Sequence, residues 1–171
     1  MEVNSDTIKK NDFILSQFSS KCISKRIKRE LDGLYKLFID IDVSIENDNL
    51  KIVIKEINNK YKFMYGFLIT QNYPFSPPKI FFQNKPYYDF LKGNYTESQI
   101  SFIKEKTGKQ CLCCSSYSCH YNWTPAVTIN KIINEINIIK VLKRHIINMI
   151  LTNKIKKKYL VDDIDLLSFL Y

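Results

Sequence analysis

Four of the five cysteines crowd into nine residues: Cys111, Cys113, Cys114 and Cys119. A thiolate is both a strong nucleophile and a good leaving group, so a cysteine can accept an acyl group and release it to an amine. Clustered thiols can instead hold a metal. Cys111-x-x-Cys114 followed by Cys119-His120 offers enough soft ligands for zinc. The spacing is too tight for an ordinary structural finger, Cys113 is left over, and Cys22 and His145 are isolated. No metal is therefore assigned, and the surplus cysteines read as a permissive loop insertion. An odd count crowded in this way does not fit a secreted disulfide framework. A reducing compartment with free thiols fits better.

The elements that must position these cysteines come from a chain of 171 residues, which suits one domain with a real core. Hydrophobic residues make up 45% and charged residues 25%, a globular composition without a membrane-spanning run. The polar start, Met1 to Asp6, lacks the regions of a signal peptide. The expected location is cytoplasmic or nuclear. Net charge is +9, but only three of the 26 basic residues are arginine. Nucleic-acid readers favour arginine for bidentate base contacts, so nucleic acid is not expected as a partner. A basic surface suits an acidic protein partner instead.

Residues 1–17 read as a loose or helical N-terminal extension, and 18–171 as a single domain. Ile23, Ile27, Leu31, Leu34 and Phe38 recur at helical spacing from about Ser20, with Lys25, Arg26, Lys28 and Arg29 mostly off that stripe. Ile41–Ile45, Leu50–Lys55 and Tyr61–Thr70 read as strands, separated by turns at Asn47-Asp48-Asn49 and Asn58-Asn59-Lys60. Three prolines make Tyr73–Pro78 a rigid extended segment rather than a central strand. Lys79–Phe82 is the fourth strand. Thr96 with Gln99 fits a capping box and Gly108 a stop, which predicts a helix near 96–107. Ile129, Ile132, Ile133, Ile136, Ile139 and Leu142, continued by Ile146, Met149 and Ile150, predict one long helix or a pair. The tail, with Asp162, Asp163, Asp165 and Leu166–Tyr171, reads as a terminal amphipathic helix. The expected class is α+β, with helices on one face of an antiparallel meander.

Cys111-Leu112, the downstream Trp123-Thr124-Pro125-Ala126 and the upstream Tyr73-Pro74-Phe75-Ser76-Pro77-Pro78-Lys79 together resemble the core of ubiquitin-conjugating (E2) enzymes. The resemblance covers about residues 20–145. It implies that fold: an N-terminal helix, a four-stranded meander, then helices. It implies that Cys111 takes ubiquitin or a ubiquitin-like protein as a thioester from the activating enzyme (E1). The cysteine then passes it to a substrate lysine or to a RING- or HECT-type ligase (E3). ATP is consumed by the E1, so no cofactor is expected here, and the chain would act as a monomer. Lys25, Arg26, Lys28 and Arg29 would dock on the acidic ubiquitin-like domain of the E1. Phe75, Pro125 and Ala126 would contact the ligase.

The chain also departs from that family. The hairpin between the second and third strands is tight. The span from Lys79 to Cys111 is longer than usual, which marks 83–110 as an insertion before the cysteine. Trp123 lies twelve residues after Cys111, farther than usual. The His-Pro-Asn triplet whose Asn is assigned to the oxyanion is absent, and Asn94 is named in its place. The alternative is a catalytically inactive E2-like scaffold, as in the related RWD domains, which keep the helix and meander but lack the cysteine.

Overall fold

The computed structural model describes residues 5–18, 21–38, 40–58 and 61–159. The elements are α1 (Ser5–Phe18), α2 (Lys21–Tyr35), β1 (Asp40–Glu46), β2 (Asn49–Asn58), β3 (Tyr61–Ile69), β4 (Lys79–Phe82), β5 (Lys85–Pro86), α3 (Tyr87–Leu91), α4 (Glu97–Thr107), α5 (Leu112–Ser115) and α6 (Ile129–Tyr159), with a 3-10 turn at His120–Asn122. The tail from residue 160 and the Asn59-Lys60 turn lie outside the described residues.

The strands pair antiparallel in sequence order, β1 to β5. Two hairpins are closed by two-residue turns in the left-handed region, Asn47-Asp48 (φ 48 and 59°) and Gln83-Asn84 (φ 53 and 60°). That geometry matches the right-handed twist of the flanking strands, and Asn and Asp tolerate it best. The second turn adds β5, which the four-stranded reading missed. Its partner residues are Phe81↔Pro86 and Phe82↔Lys85.

Period-two alternation puts Ile41, Val43, Leu50, Ile52, Ile54, Tyr65, Phe67, Ile69, Ile80 and Phe82 into the core. Ile27, Leu31 and Leu34 of α2 close over them, with Ile129, Ile132, Ile133, Ile136 and Ile139 of α6. α6 is one continuous helix of 31 residues. One face is buried along its first half, with Ile138 and Val141 exposed on the other, and farther along Ile147, Ile150, Leu151 and Ile155 are exposed. No described helix is long and apolar enough to cross a membrane. α1 is tied down by Leu15 and Phe18, both in the core.

Residues 71–76 form a turn, not the extended segment expected from three prolines. The amides of Phe75 and Ser76 both donate to Asn72 O, at 2.8 and 3.1 Å. The Tyr73–Pro74 peptide is cis. Proline removes its own donor but leaves the neighbours free to close a turn, so the count of prolines did not decide between the two shapes.

Candidate functional site

Two carboxylates organise the end of the molecule that carries the motifs. The first is Glu30 on α2, whose side chain is only 6% exposed. Its Oε1 accepts from Arg26 Nε at 2.6 Å and from the Tyr73 hydroxyl at 2.5 Å. Its Oε2 accepts from the backbone amide of Ile129 at 2.8 Å. That amide opens α6, where donors lack helical partners and a negative charge is favoured. Arg26 reaches on to the carbonyls of Pro125 and Val127, at 3.2 and 3.3 Å. Trp123 Nε1 donates to Pro74 O at 2.8 Å, and its ring lies against Tyr73 with centroids 6.0 Å apart. The Tyr-Pro block and the Trp-Thr-Pro-Ala block are thus locked to each other and to both long helices. Burial beside Glu30 holds the Tyr73 phenol well above its usual range.

The second carboxylate, Glu135 on α6, holds the cysteine loop. Its Oε1 accepts from the Tyr87 hydroxyl at 3.0 Å and from Ser116 Oγ at 2.6 Å. Its Oε2 accepts from the Tyr117 amide at 2.7 Å. Asn122 Nδ2 ties down the carbonyls of Cys114 and Ser116, at 2.7 and 3.0 Å. Leu112 is fully buried and pins the other side of the loop.

Cys111 is the N-cap of α5, with Cys113 and Cys114 in its first turn. The Cys114 amide donates to Cys111 Sγ at 3.2 Å, and Cys113 Sγ lies 3.0 Å from Cys111 Sγ. Partial burial pushes the Cys111 thiol up, but hydrogen bonds from the side chains and amides of Cys113 and Cys114 outweigh it and lower its pKa. Cys113 is raised chiefly by that same contact. The Sγ atoms of Cys111, Cys113 and Cys114 all lie within 4.8 Å of one another. Cys119 and His120 are not in that group, so the four-ligand set drawn from sequence spacing is not assembled.

The remaining predicted site residues scatter. Asn94 is exposed in the loop between α3 and α4. No hydrogen bond among the described residues joins it to Cys111. Lys25 and Arg29 are exposed on α2. Lys28 is paired with Asp12 of α1 at 2.8 Å, and Arg26 turns inward as described. Phe75 is 80% exposed, and Pro125 and Ala126 are exposed on the loop that the Trp123–Pro74 bond joins to its own. Sequence reasoning missed Glu30 and Glu135. The i,i+4 pairing of Arg26 with Glu30, on the border of the apolar stripe, was the available signal for the first. Nothing local marked the second.

A family model described as RWD domain matches residues 14–130. No curated protein and no solved structure matches the chain.

Proposed function

The chain belongs to the RWD domain family, and from that premise we propose that it is a non-catalytic protein-interaction module of the ubiquitin pathway. RWD domains share the ubiquitin-conjugating fold and are usually without its catalysis. The observation that carries this reading is the Glu30 clasp. Tyr73, Pro74 and Trp123, the residues of the conjugating-enzyme resemblance, spend their polar atoms inward, on joining two loops to two helices. Their presence is accounted for by the fold and needs no chemistry.

What the clasp leaves outside is an apolar tip of Phe75, Pro125 and Ala126, with Lys25 and Arg29 exposed on the neighbouring helix. A single exposed aromatic beside rigid proline loops has the character of an interface anchor. The partner that fits is an E2 enzyme or another ubiquitin-pathway protein with an acidic rim around an apolar pocket. Binding of purified E2 enzymes and ubiquitin, followed by biolayer interferometry, tests this. Phe75→Ala is expected to weaken the binding about tenfold, the effect of removing a moderate anchor. Unchanged binding in that variant removes the tip from the interface.

A second reading, that Cys111 accepts ubiquitin or a ubiquitin-like protein from an E1 and passes it to a lysine or a RING or HECT ligase, has one observation in its favour. The thiol is partly exposed and its pKa is lowered, which favours the nucleophilic thiolate. Against it, the sulfur is engaged by its own loop, and Asn94 is an exposed loop residue with no hydrogen bond to Cys111 among the described residues.

A further inference from the structure

The cysteine loop is built more carefully than a permissive insertion requires. Its three clustered thiols occupy the N-cap and the second and third positions of one short helical turn. Leu112, between the first two, points the other way and is fully buried. One turn of helix therefore sorts the run Cys-Leu-Cys-Cys into an apolar anchor and a three-sulfur face. The tight spacing that argued against a zinc finger is what produces this face.

We propose that Cys111, Cys113 and Cys114 form a three-thiolate site for a single soft d10 cation, Zn2+ or Cu+. Ligand type comes first: clustered thiolates select Zn2+ and Cu+ over oxygen-seeking ions. Geometry comes second. Three sulfurs at the Zn–S length of about 2.3 Å stand about 3.8 Å apart around a tetrahedral centre. Cys113 and Cys114 are already 3.9 Å apart, and Cys111 and Cys113, at 3.0 Å, need to open by about 0.8 Å. All three atoms lie within 4.8 Å of one another. Support behind the ligands comes third. Asn122 holds the Cys114 carbonyl and Glu135 holds Ser116 and Tyr117, so the turn is fixed before any ion arrives. Access comes fourth, since Cys114 is exposed and the other two are partly so.

Binding converts up to three thiols to thiolates and releases as many protons, so affinity rises with pH. The fourth position of a tetrahedral ion is open to water, because Cys119 and His120 stand outside the group. A filled site would occupy the sulfur that the enzyme reading needs as a nucleophile. The proposal does not rest on the partner-binding tip, which lies on other residues.

The test uses the full chain, reduced and stripped of metal, titrated separately with Zn2+ and, anaerobically, with Cu+ against a chromophoric chelator. One equivalent of either ion is expected to bind and to protect three of the five thiols from Ellman's reagent. X-ray absorption of each loaded protein, which counts its sulfur and oxygen ligands, shows which ion the three sulfurs fit. Co2+ provides a second readout, through the thiolate-to-metal absorption band. Cys113→Ser and Cys114→Ser are each expected to weaken Zn2+ binding by at least roughly a hundredfold, as losing a direct ligand costs more than losing a supporting one. Cys119→Ser, in the same loop, is expected to stay within about twofold of the parent. Circular dichroism of each variant separates loss of the site from loss of the fold. No protection of thiols by either ion, or equal weakening by Cys119→Ser, overturns the proposal.

Discussion

Glu30 and Glu135 do the same job in two places, and the contrast between them separates scaffold from loop. Each is a carboxylate on a helix that accepts from three donors, all three from other segments for Glu135 and two of the three for Glu30, whose Arg26 lies one turn away on the same helix. Glu30 draws in an arginine, a tyrosine hydroxyl and a helix N-terminal amide. The described partners of Glu135 are all neutral: a tyrosine, a serine and a backbone amide. The first clasp fastens the blocks that resemble a conjugating enzyme. The second fastens a loop whose cysteines are spaced unlike that family. A buried charge with a cationic partner is costly to disturb, whereas neutral donors leave a smaller penalty when orphaned. Two blocks of the resemblance, Tyr73-Pro74 and Trp123-Thr124-Pro125-Ala126, thus sit on the charged clasp, and the third, Cys111-Leu112 with its altered spacing, sits in the loop held by the neutral one.

The largest effect that could break this contrast is Glu30→Ala. It takes the counter-charge from Arg26, which keeps only the carbonyls of Pro125 and Val127, and orphans the Tyr73 hydroxyl and the Ile129 amide. Removing one partner of a buried pair costs 3–5 kcal/mol, and the partial exposure of Arg26 puts this case near the low end, about 3 kcal/mol. Glu135→Ala is expected to cost less, about 2 kcal/mol, mainly from the Tyr117 amide and the buried Tyr87 hydroxyl, because Ser116 keeps Ser118 as a partner. Urea denaturation of both variants gives the order. Equal or reversed costs would dissolve the distinction.

A smaller, graded test is pH. Tyr73 and Tyr87 are buried and donate to Glu30 and Glu135, and Tyr65 donates to Glu56. Burial first, then the neighbouring carboxylate, raises all three phenols above the ordinary value of 10.0. A folded-state pKa above the unfolded one favours the protonated fold. That stability is complete below about pH 10 and is lost as pH rises beyond it. Denaturation midpoints are expected to stay level up to about pH 9 and to fall above about pH 10. Tyr87→Phe should make that fall shallower, and an unchanged slope would mean that Tyr87 ionises freely in the fold.

Much of the architecture could be read from the chain because it rests on local periodicity. The alternation of β1 and β2, the Asn47-Asp48 turn, the Thr96–Gln99 cap and the Gly108 stop are all signals within a few residues. The structure shows the Thr96 amide on Gln99 Oε1 at 2.9 Å and Gly108 at φ 71°. The candidate site was less legible because its decisive contacts span the chain. Arg26 meets Pro125 across 99 residues, and Glu30 meets Ile129 across as many. Read locally, Arg26 was one more member of a solvated basic face. The cysteines present the reverse case, a purely local arrangement. Spacing judged against a zinc finger hid the face that a single helical turn makes. Gln83-Asn84 was missed because Gln is an unusual occupant of a left-handed turn position.

The central claim is that this is an interaction module and not an acyl carrier. Its most direct test is to incubate the metal-free, reduced chain with E1, ATP and a panel of ubiquitin-like proteins, and to resolve the products on a non-reducing gel. The account predicts no thiol-sensitive adduct with any of them. An adduct that dithiothreitol removes, and that Cys111→Ser abolishes while Cys113→Ser keeps, would contradict it and make Cys111 the nucleophile.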